Sequence, residues 1–262
     1  MASLYTENSE KWKSIASVDY FTQFIKAWIP FNAWYKNYYP ELKTDRKAID
    51  EIKANSNTFR NKLFSLLNDQ GNDGSAFKSS ISELCLELER KHIFNKGERI
   101  TFDKIVIQSN SQKNYSFSRQ TLTYKVERKI AGKPKEVEIY VICKNGTKKF
   151  SYTQVNGFDI DDLTSNQDFR RLTESQQKNL KACYEEINPL KPINLLTSDS
   201  NHCIKMGNIH LINDPDKLCK GIIEILYKLR NVLFHGEIVP DNDTNKVYEP
   251  AYHILYKLIQ AL

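Results

Sequence analysis

The sequence lacks any long hydrophobic run. A membrane-spanning helix needs about 20 consecutive apolar residues, so we expect no membrane segment. Residues 1–13 are polar and lack the apolar core of a secretory signal, so we expect no export by that route. Hydrophobic residues make up 40% of the chain and charged residues 27%, proportions that are typical of a globular protein.

Cysteine is also scarce, because the 262 residues contain only five. They are odd in number and widely scattered, at Cys85, Cys143, Cys183, Cys203 and Cys219. This distribution argues against a disulfide framework and favours reduced thiols in a cytoplasmic protein.

The sequence contains no glycine-rich phosphate loop, no dinucleotide-binding fingerprint and no nucleophile elbow. His202, Cys203, His210 and Cys219 can all bind zinc, but they lack the paired short spacings of zinc modules. Asp241, Asp243 and Asn245 resemble the start of a calcium loop, but Lys246 and Tyr252 replace its glycine and glutamate. We therefore expect neither a metal ion nor another cofactor.

Helical periodicity dominates both ends of the sequence. It predicts helices over 17–39, 44–67, 76–94, 173–187, 214–235 and 248–262. Pro30 is expected to kink or break the first helix, and Asn32 to satisfy backbone groups there rather than serve a site directly. Thr173 and Gln176 predict a capping box, whereas residues 68–75 have the composition of a flexible turn.

From Gly97 onward the periodicity changes from helical to alternating. Strands are predicted over 100–106, 115–126, 137–143 and 148–155, with turns at 132–134 and at Asn145-Gly146. The fold class is therefore mainly α, with helices on either side of an inserted small antiparallel β subdomain. We place N-terminal helices in 1–95, the β insertion in 96–165 and C-terminal helices in 166–262.

The insertion holds most of the positive charge. Residues 96–152 contain thirteen basic and five acidic side chains, a balance of +8, whereas the whole chain carries +6. Seven aromatic residues are interleaved with this charge: Phe102, Tyr115, Phe117, Tyr124, Tyr140, Phe150 and Tyr152. One interpretation is an RNA-binding surface that uses Lys144, Lys148, Lys149, Arg128 and Lys129. The other is a strand core of aromatics with a lysine-rich edge that resists aggregation.

The helix over 214–235 is apolar almost all round, yet its last turn contains Arg230, Asn231 and His235. Asp214 and Pro215 are suited to its start and Gly236 to its end. Imidazole transfers protons near neutral pH, and guanidinium matches the geometry of phosphate oxygens. Together these groups are sufficient for phosphodiester cleavage without a metal. Alternatively, His235 merely helps to end the helix while Arg230 pairs with a surface acid.

The segment Arg230–His235 resembles the Arg-x4-His motif of HEPN-superfamily domains, including the polar residue that often follows the arginine. Its setting late in an apolar helix, with one more helix after it, is similar as well. Phe31-Asn32-Ala33-Trp34-Tyr35 resembles the opening helix of several HEPN groups. The resemblance covers about 17–95 and 173–262 and leaves out the β segment. Glu237 departs from a toxin subgroup that has tyrosine at that position.

The resemblance implies a helical bundle that forms a homodimer and unites two motifs in one cleft. It implies a metal-independent endoribonuclease, a toxin or defence effector with an antitoxin or regulatory partner. His235 would transfer the proton at the ribose 2′-hydroxyl or the leaving oxygen, and Arg230 would hold the scissile phosphate. Asn231 would orient the histidine or the phosphate. Two alternatives remain: an inactive HEPN-fold module that binds RNA or a protein, and a metal-dependent nuclease that uses Asp159, Asp161 and Asp162.

Overall fold

The structure is a computed structural model that describes residues 19–129 and 135–262. The predicted turn at 132–134 and the predicted helix start at residue 17 lie outside the described residues. The chain forms two compact units, one built from 19–107 with Ile193–Leu262 and one from Gln108–Pro192. The insertion therefore begins and ends later than the predicted boundaries of 96 and 165.

The described helices are α1 Tyr20–Tyr38, α2 Asp45–Ala54, α3 Thr58–Asn68, α4 Asn72–Lys91, α5 Ile160–Ser165, α6 Gln167–Arg170, α7 Glu174–Glu185, α8 Pro215–Phe234 and α9 Asn242–Ile259. The described strands are β1 Phe94–Asn95, β2 Glu98–Arg99, β3 Asn114–Arg119, β4 Leu122–Arg128, β5 Val137–Cys143, β6 Lys148–Gln154, β7 Cys203–Met206 and β8 Ile209–Ile212. The protein is thus mainly α with a β subdomain. No helix within the described ranges is both long enough and apolar enough to cross a membrane.

The predicted single helix over 44–67 is wrong, because a break at 55–57 separates α2 from α3. Asn57 caps α3 by accepting a hydrogen bond from the Arg60 backbone at 2.9 Å. Its side-chain nitrogen also donates to the Ile52 carbonyl at 3.0 Å, which closes the end of α2. Asparagine is well suited to such caps, so a local polar contact outweighs the continuous apolar pattern.

Four further predictions for the helical unit need correction. α1 continues through Pro30 without a break. α4 begins at Asn72, inside the stretch predicted to be a flexible turn, and α9 begins at Asn242 rather than at residue 248. The predicted strand over 100–106 is an irregular segment that buries Ile100, Phe102 and Ile105 in the helical core. Its alternation reflects contacts with that core, and Ile105 forms only an isolated bridge with Ile193.

Helix α8 occupies the core of the helical unit. Eleven of its residues are buried, and it packs against α1, α2 and α3. Burying each large aliphatic side chain contributes about 1.5–3 kcal/mol, so this helix is held firmly along its length. Its start and end are therefore fixed relative to the neighbouring helices, so the backbone of its last turn is fixed as well.

The second unit contains the predicted small antiparallel sheet, which has four strands in the order β3-β4-β5-β6. The predicted strand over 115–126 is in fact two strands, β3 and β4, joined at Gln120-Thr121. Asn145-Gly146 forms the predicted hairpin turn, with Gly146 at a φ of 83°.

Helix α7 belongs to this second unit rather than to the C-terminal helices of the bundle. Thr173 and Gln176 form the predicted capping box at its start. Its buried residues Leu180, Cys183 and Tyr184 share one hydrophobic core with the sheet residues Val126 and Ile139. An amphipathic helix must bury its apolar face, and the apolar side of the sheet supplies the surface for it. The boundary predicted at 166 is therefore wrong.

Candidate active site

The end of α8 has the geometry that the sequence predicted. Asp214 caps the start of the helix by accepting a hydrogen bond from the Lys217 backbone at 3.1 Å. At the other end His235 is the capping residue, and Gly236 adopts the left-handed conformation with a φ of 64°. The Glu237 backbone then donates to the Val232 carbonyl at 2.9 Å, which closes the helix. The backbone at His235 is therefore fixed on both sides.

The carboxylate of Glu237 fixes this turn further. It accepts hydrogen bonds from the Asn95 side chain at 3.2 Å and from the Lys96 backbone at 3.3 Å. Both donors lie in or beside the β1–β2 hairpin, so the chain just after His235 is tied to a neighbouring element.

Arg230 is oriented by four neighbours. Its Nη1 donates to Asn231 Oδ1 at 3.0 Å, and its Nη2 donates to Asp45 Oδ2 at 3.2 Å. The guanidinium carbon lies 4.4 Å from the centroid of the Phe234 ring and 6.0 Å from that of Trp28. Stacking on aromatic faces and charge-assisted hydrogen bonds both restrict the guanidinium plane. The side chain is only 18% exposed, so it is held in one place rather than extended into solvent.

His235 is exposed, and within the described residues its imidazole has no hydrogen-bond partner. A hydrogen bond thus connects the side chains of Arg230 and Asn231, whereas no described hydrogen bond connects either of them to His235. The hydrogen bond described for the Asn231 side chain is with Arg230, a partner that neither of its two predicted roles included. The last turn of α8 thus contains an exposed imidazole, which can transfer protons, and an ordered guanidinium, which can bind anions.

Helix α1 contributes buried polar atoms beside Arg230. Four buried polar atoms here are inaccessible to solvent and have no hydrogen-bond partner: Trp28 Nε1, Asn32 Oδ1, Tyr35 OH and Arg230 Nε. Trp28, Asn32 and Tyr35 share one helix face, since they are separated by four and three residues. The expectation that Asn32 satisfies backbone groups at Pro30 is not met, because no described hydrogen bond involves its side chain and its side-chain oxygen is buried without a partner. Buried polar groups without partners are uncommon in folded proteins.

Electrostatics connect the same groups. Burial raises the pKa of Tyr35, and the nearby Asp45 carboxylate raises it further, while the positive charge of Arg230 opposes the shift. Tyr35 therefore stays a neutral phenol. Its hydroxyl lies within the field of both members of the Asp45–Arg230 pair.

The five predicted RNA-binding residues fall into two groups. Lys144, Lys148 and Lys149 are exposed around the β5–β6 turn, and Lys148 Nζ lies 4.3 Å from the centre of the Tyr140 ring. Lys148 and Lys149 also line a pocket of about 380 Å³. Arg128 and Lys129 lie at the opposite end of the sheet, since Leu122 pairs with Cys143 and Arg128 with Val137.

Arg128 and Lys129 are committed to contacts within the protein. Arg128 Nη2 donates to the backbone carbonyls of Asn110 and Gln112 at 2.9 and 3.1 Å. Lys129 pairs with the carboxylates of Glu136 and Glu138. These contacts favour a role for both residues in holding the sheet together.

Most of the interleaved aromatics belong to hydrophobic cores. Phe102, Tyr124 and Phe150 are at most 3% exposed, and Tyr115, Phe117 and Tyr152 pack against the core of the second unit. Tyr140 lies on the other sheet face, since its neighbours Ile139 and Val141 point into the core. The alternative of a strand core with a lysine-rich edge therefore describes most of these residues.

The residues considered for metals have other contacts. Asp159 caps α5, and Asp162 accepts hydrogen bonds from the Tyr152 hydroxyl and the Gln154 side chain. Burial raises the pKa of the Cys219 thiol to about 12, which disfavours the thiolate that binds zinc. The described ranges contain no group of three or more His, Cys, Asp or Glu residues placed to hold a metal ion.

Asp45 is the site residue that the sequence reasoning missed. It follows the helix cap Thr44, and an acid in the first turn of a helix is ordinary, so no local pattern singles it out.

Comparison with protein-family models, with curated proteins and with solved structures finds no match for this chain.

Proposed function

We propose that the protein is a metal-independent endoribonuclease of HEPN type whose active site is formed where two chains meet. The observation that carries the proposal is an ordered Arg230 guanidinium at the helix end where an exposed His235 imidazole has no described partner. The first group can bind a phosphate, and the second can exchange a proton with a substrate. Both occur in the Arg-x4-His arrangement that resembles the HEPN motif.

The proposed chemistry is attack of a ribose 2′-hydroxyl on the adjacent phosphate. His235 accepts the hydroxyl proton or donates a proton to the leaving 5′-oxygen, and a second copy of the motif supplies the complementary step. Arg230 binds the phosphate and stabilises the negative charge that develops on its oxygens. Asn231 holds Arg230 through the 3.0 Å hydrogen bond. The products would end in a 2′,3′-cyclic phosphate and a 5′-hydroxyl.

Lys144, Lys148 and Lys149 are the proposed contacts for the RNA backbone. Their side chains are exposed and close in sequence, and none of them forms a described ion pair, so they can neutralise phosphates. We leave Arg128 and Lys129 out of this group because their side chains already bind protein acceptors.

A cleavage assay in EDTA tests the proposal. Wild type is incubated with a mixed-sequence RNA and with DNA of the same sequence, beside His235→Ala, Arg230→Ala and the control His202→Ala. His202 is a matched control because its side chain is 82% exposed and lies outside the site. We expect wild type and His202→Ala to cleave RNA to cyclic-phosphate ends, DNA to resist, and the two site variants to lose activity. Cleavage that persists in both site variants, or that requires a divalent cation, would show that the site is wrong.

The proposal that two chains share the site has its own test. Activity per chain should rise with protein concentration over the range in which light scattering reports conversion of monomer to dimer. Activity that is independent of concentration in a purely monomeric sample would contradict a shared site.

One observation favours a second candidate, an inactive HEPN-fold module that binds RNA or a protein. Arg230 already has a carboxylate partner in Asp45, and its side chain is not joined to His235. Such a module would cleave no RNA in the same assay. In a separate measurement of RNA binding, His235→Ala would leave its affinity unchanged.

A further inference from the structure

Asp45 and Arg230 form a half-buried ion pair across 185 residues of sequence. The two side chains are 25% and 18% exposed, so water screens their attraction less than it does at the surface. The other Asp45 oxygen lies 2.9 Å from Lys36 Nζ, and Lys36 belongs to α1. Asp45, at the start of α2, therefore forms ion pairs with both α1 and α8.

The backbone that carries Asp45 is fixed independently of this pair. Arg46, its chain neighbour, binds Glu224 of α8 through both terminal nitrogens, at 2.8 and 2.9 Å. Lys53, two turns further along α2, lies 2.6 Å from the same carboxylate. Because α2 is clamped to α8 in this way, the backbone position of Asp45 relative to Arg230 does not depend on their ion pair alone.

The described hydrogen bonds do not use all of the N–H groups of Arg230. A guanidinium has five N–H groups, two on each terminal nitrogen and one on Nε. Asn231 takes one N–H of Nη1 and Asp45 takes one N–H of Nη2. One N–H therefore remains on each terminal nitrogen, while two acceptors and the Phe234 ring fix the plane of the group. Bidentate binding of phosphate depends on that orientation.

We propose that Asp45 is a positioning residue that aims the Arg230 guanidinium at the scissile phosphate. This proposal rests on the ribonuclease function proposed above. Asp45 does not touch the substrate. Its negative charge opposes the binding of phosphate in general, whereas its hydrogen bond improves the geometry of the arginine in the transition state. Loss of the Asp45 carboxylate should therefore leave RNA binding unchanged or tighter while it lowers kcat. A merely structural role would not predict this combination.

The test compares Asp45→Asn and Asp45→Ala with the control Asp50→Asn. Asp50 lies on the same helix and is 55% exposed, and its described partners are Arg46 and Lys53, so the control removes an equal charge without touching Arg230. We expect kcat to fall about ten- to a hundredfold in Asp45→Ala and less in Asp45→Asn, which keeps an acceptor. Binding of a non-cleavable RNA with 2′-deoxy linkages should be unchanged or tighter in both. Thermal unfolding confirms that each variant is folded. If Asp45→Ala does not fold, the comparison uses Asp45→Asn in its place.

A second measurement does not depend on activity. The Nε–H resonance of Arg230, assigned by its loss in Arg230→Ala, reports how well the guanidinium is held. We expect slow exchange with solvent in wild type and Asp50→Asn, and faster exchange in Asp45→Ala. If wild type cleaves no RNA, the ribonuclease function fails, yet this resonance still tests the positioning. Unchanged exchange in Asp45→Ala, or a wild-type kcat in that folded variant, would overturn the proposal.

Discussion

Lys53 Nζ lies 2.6 Å from Glu224 Oε2, and the two side chains are 5% and 4% exposed. Arg46 binds the other side of the same carboxylate, and its guanidinium carbon lies 4.7 Å from the centroid of the Tyr227 ring. A buried carboxylate is stable only when it is paired and hydrogen-bonded, and here two cations satisfy it. The cluster joins α2 to α8 in the interior of the helical unit.

Removing the carboxylate should therefore destabilise the fold strongly. Glu224→Gln leaves the Lys53 ammonium buried with a weaker set of partners, and we expect a loss of about 3 kcal/mol in the free energy of unfolding. Urea unfolding measures the loss, and Glu83→Gln, at an exposed position on α4, should change it by less than about 0.5 kcal/mol. Equal effects of the two substitutions would contradict the importance of the buried cluster.

The same carboxylate should make stability depend on pH. Burial alone raises the pKa of Glu224, but Arg46 and Lys53 outweigh it and lower the pKa below its ordinary value. Its contribution is thus fully present above the ordinary range for glutamate, about 4.3, and is lost as the pH falls through the lower folded value. Between pH 7 and pH 3 wild type should lose more unfolding free energy than Glu224→Gln does. A parallel pH dependence of the two proteins would rule this out.

Gly221 lies on α8, where a Cβ atom would clash with Leu195 Cδ1. Alanine in a helix interior ordinarily gains about 1 kcal/mol over glycine, but overpacking a buried site costs about 1–3 kcal/mol. We expect Gly221→Ala to be destabilising, with the loss partly relieved when Leu195→Ala is added. A double-mutant cycle by chemical unfolding measures this coupling. Additive effects would mean that the contact does not limit the site.

The lysines of the β5–β6 region should determine the salt dependence of RNA binding. The triple variant Lys144→Ala, Lys148→Ala, Lys149→Ala should weaken binding and flatten its dependence on salt, because each lysine that contacts a phosphate releases counterions. The control changes three other exposed lysines of the same unit to alanine: Lys113, Lys135 and Lys178. Fluorescence anisotropy between 50 and 200 mM salt compares them. If both triple variants weaken binding equally, net charge rather than this surface is responsible.

Local signals in the sequence were sufficient where neighbours along the chain determine the conformation. Asp214, Pro215 and Gly236 marked both ends of α8, and the capping box marked the start of α7. Asn145-Gly146 marked the hairpin. Each of these features depends on hydrogen bonds or φ angles within a few residues, which the residue types themselves constrain.

The sequence by itself therefore determined which functional groups lie at the end of α8, since Arg230, Asn231 and His235 lie within two turns of one helix. Only the tertiary structure decided which partners these residues have. Asp45 reaches Arg230 from another helix, and α7 joins the β unit because its apolar face is buried against the sheet. Likewise, the alternating residues after Gly97 became an irregular part of the helical core. Periodicity reveals that a face will be buried, but only packing in three dimensions determines the surface that buries it.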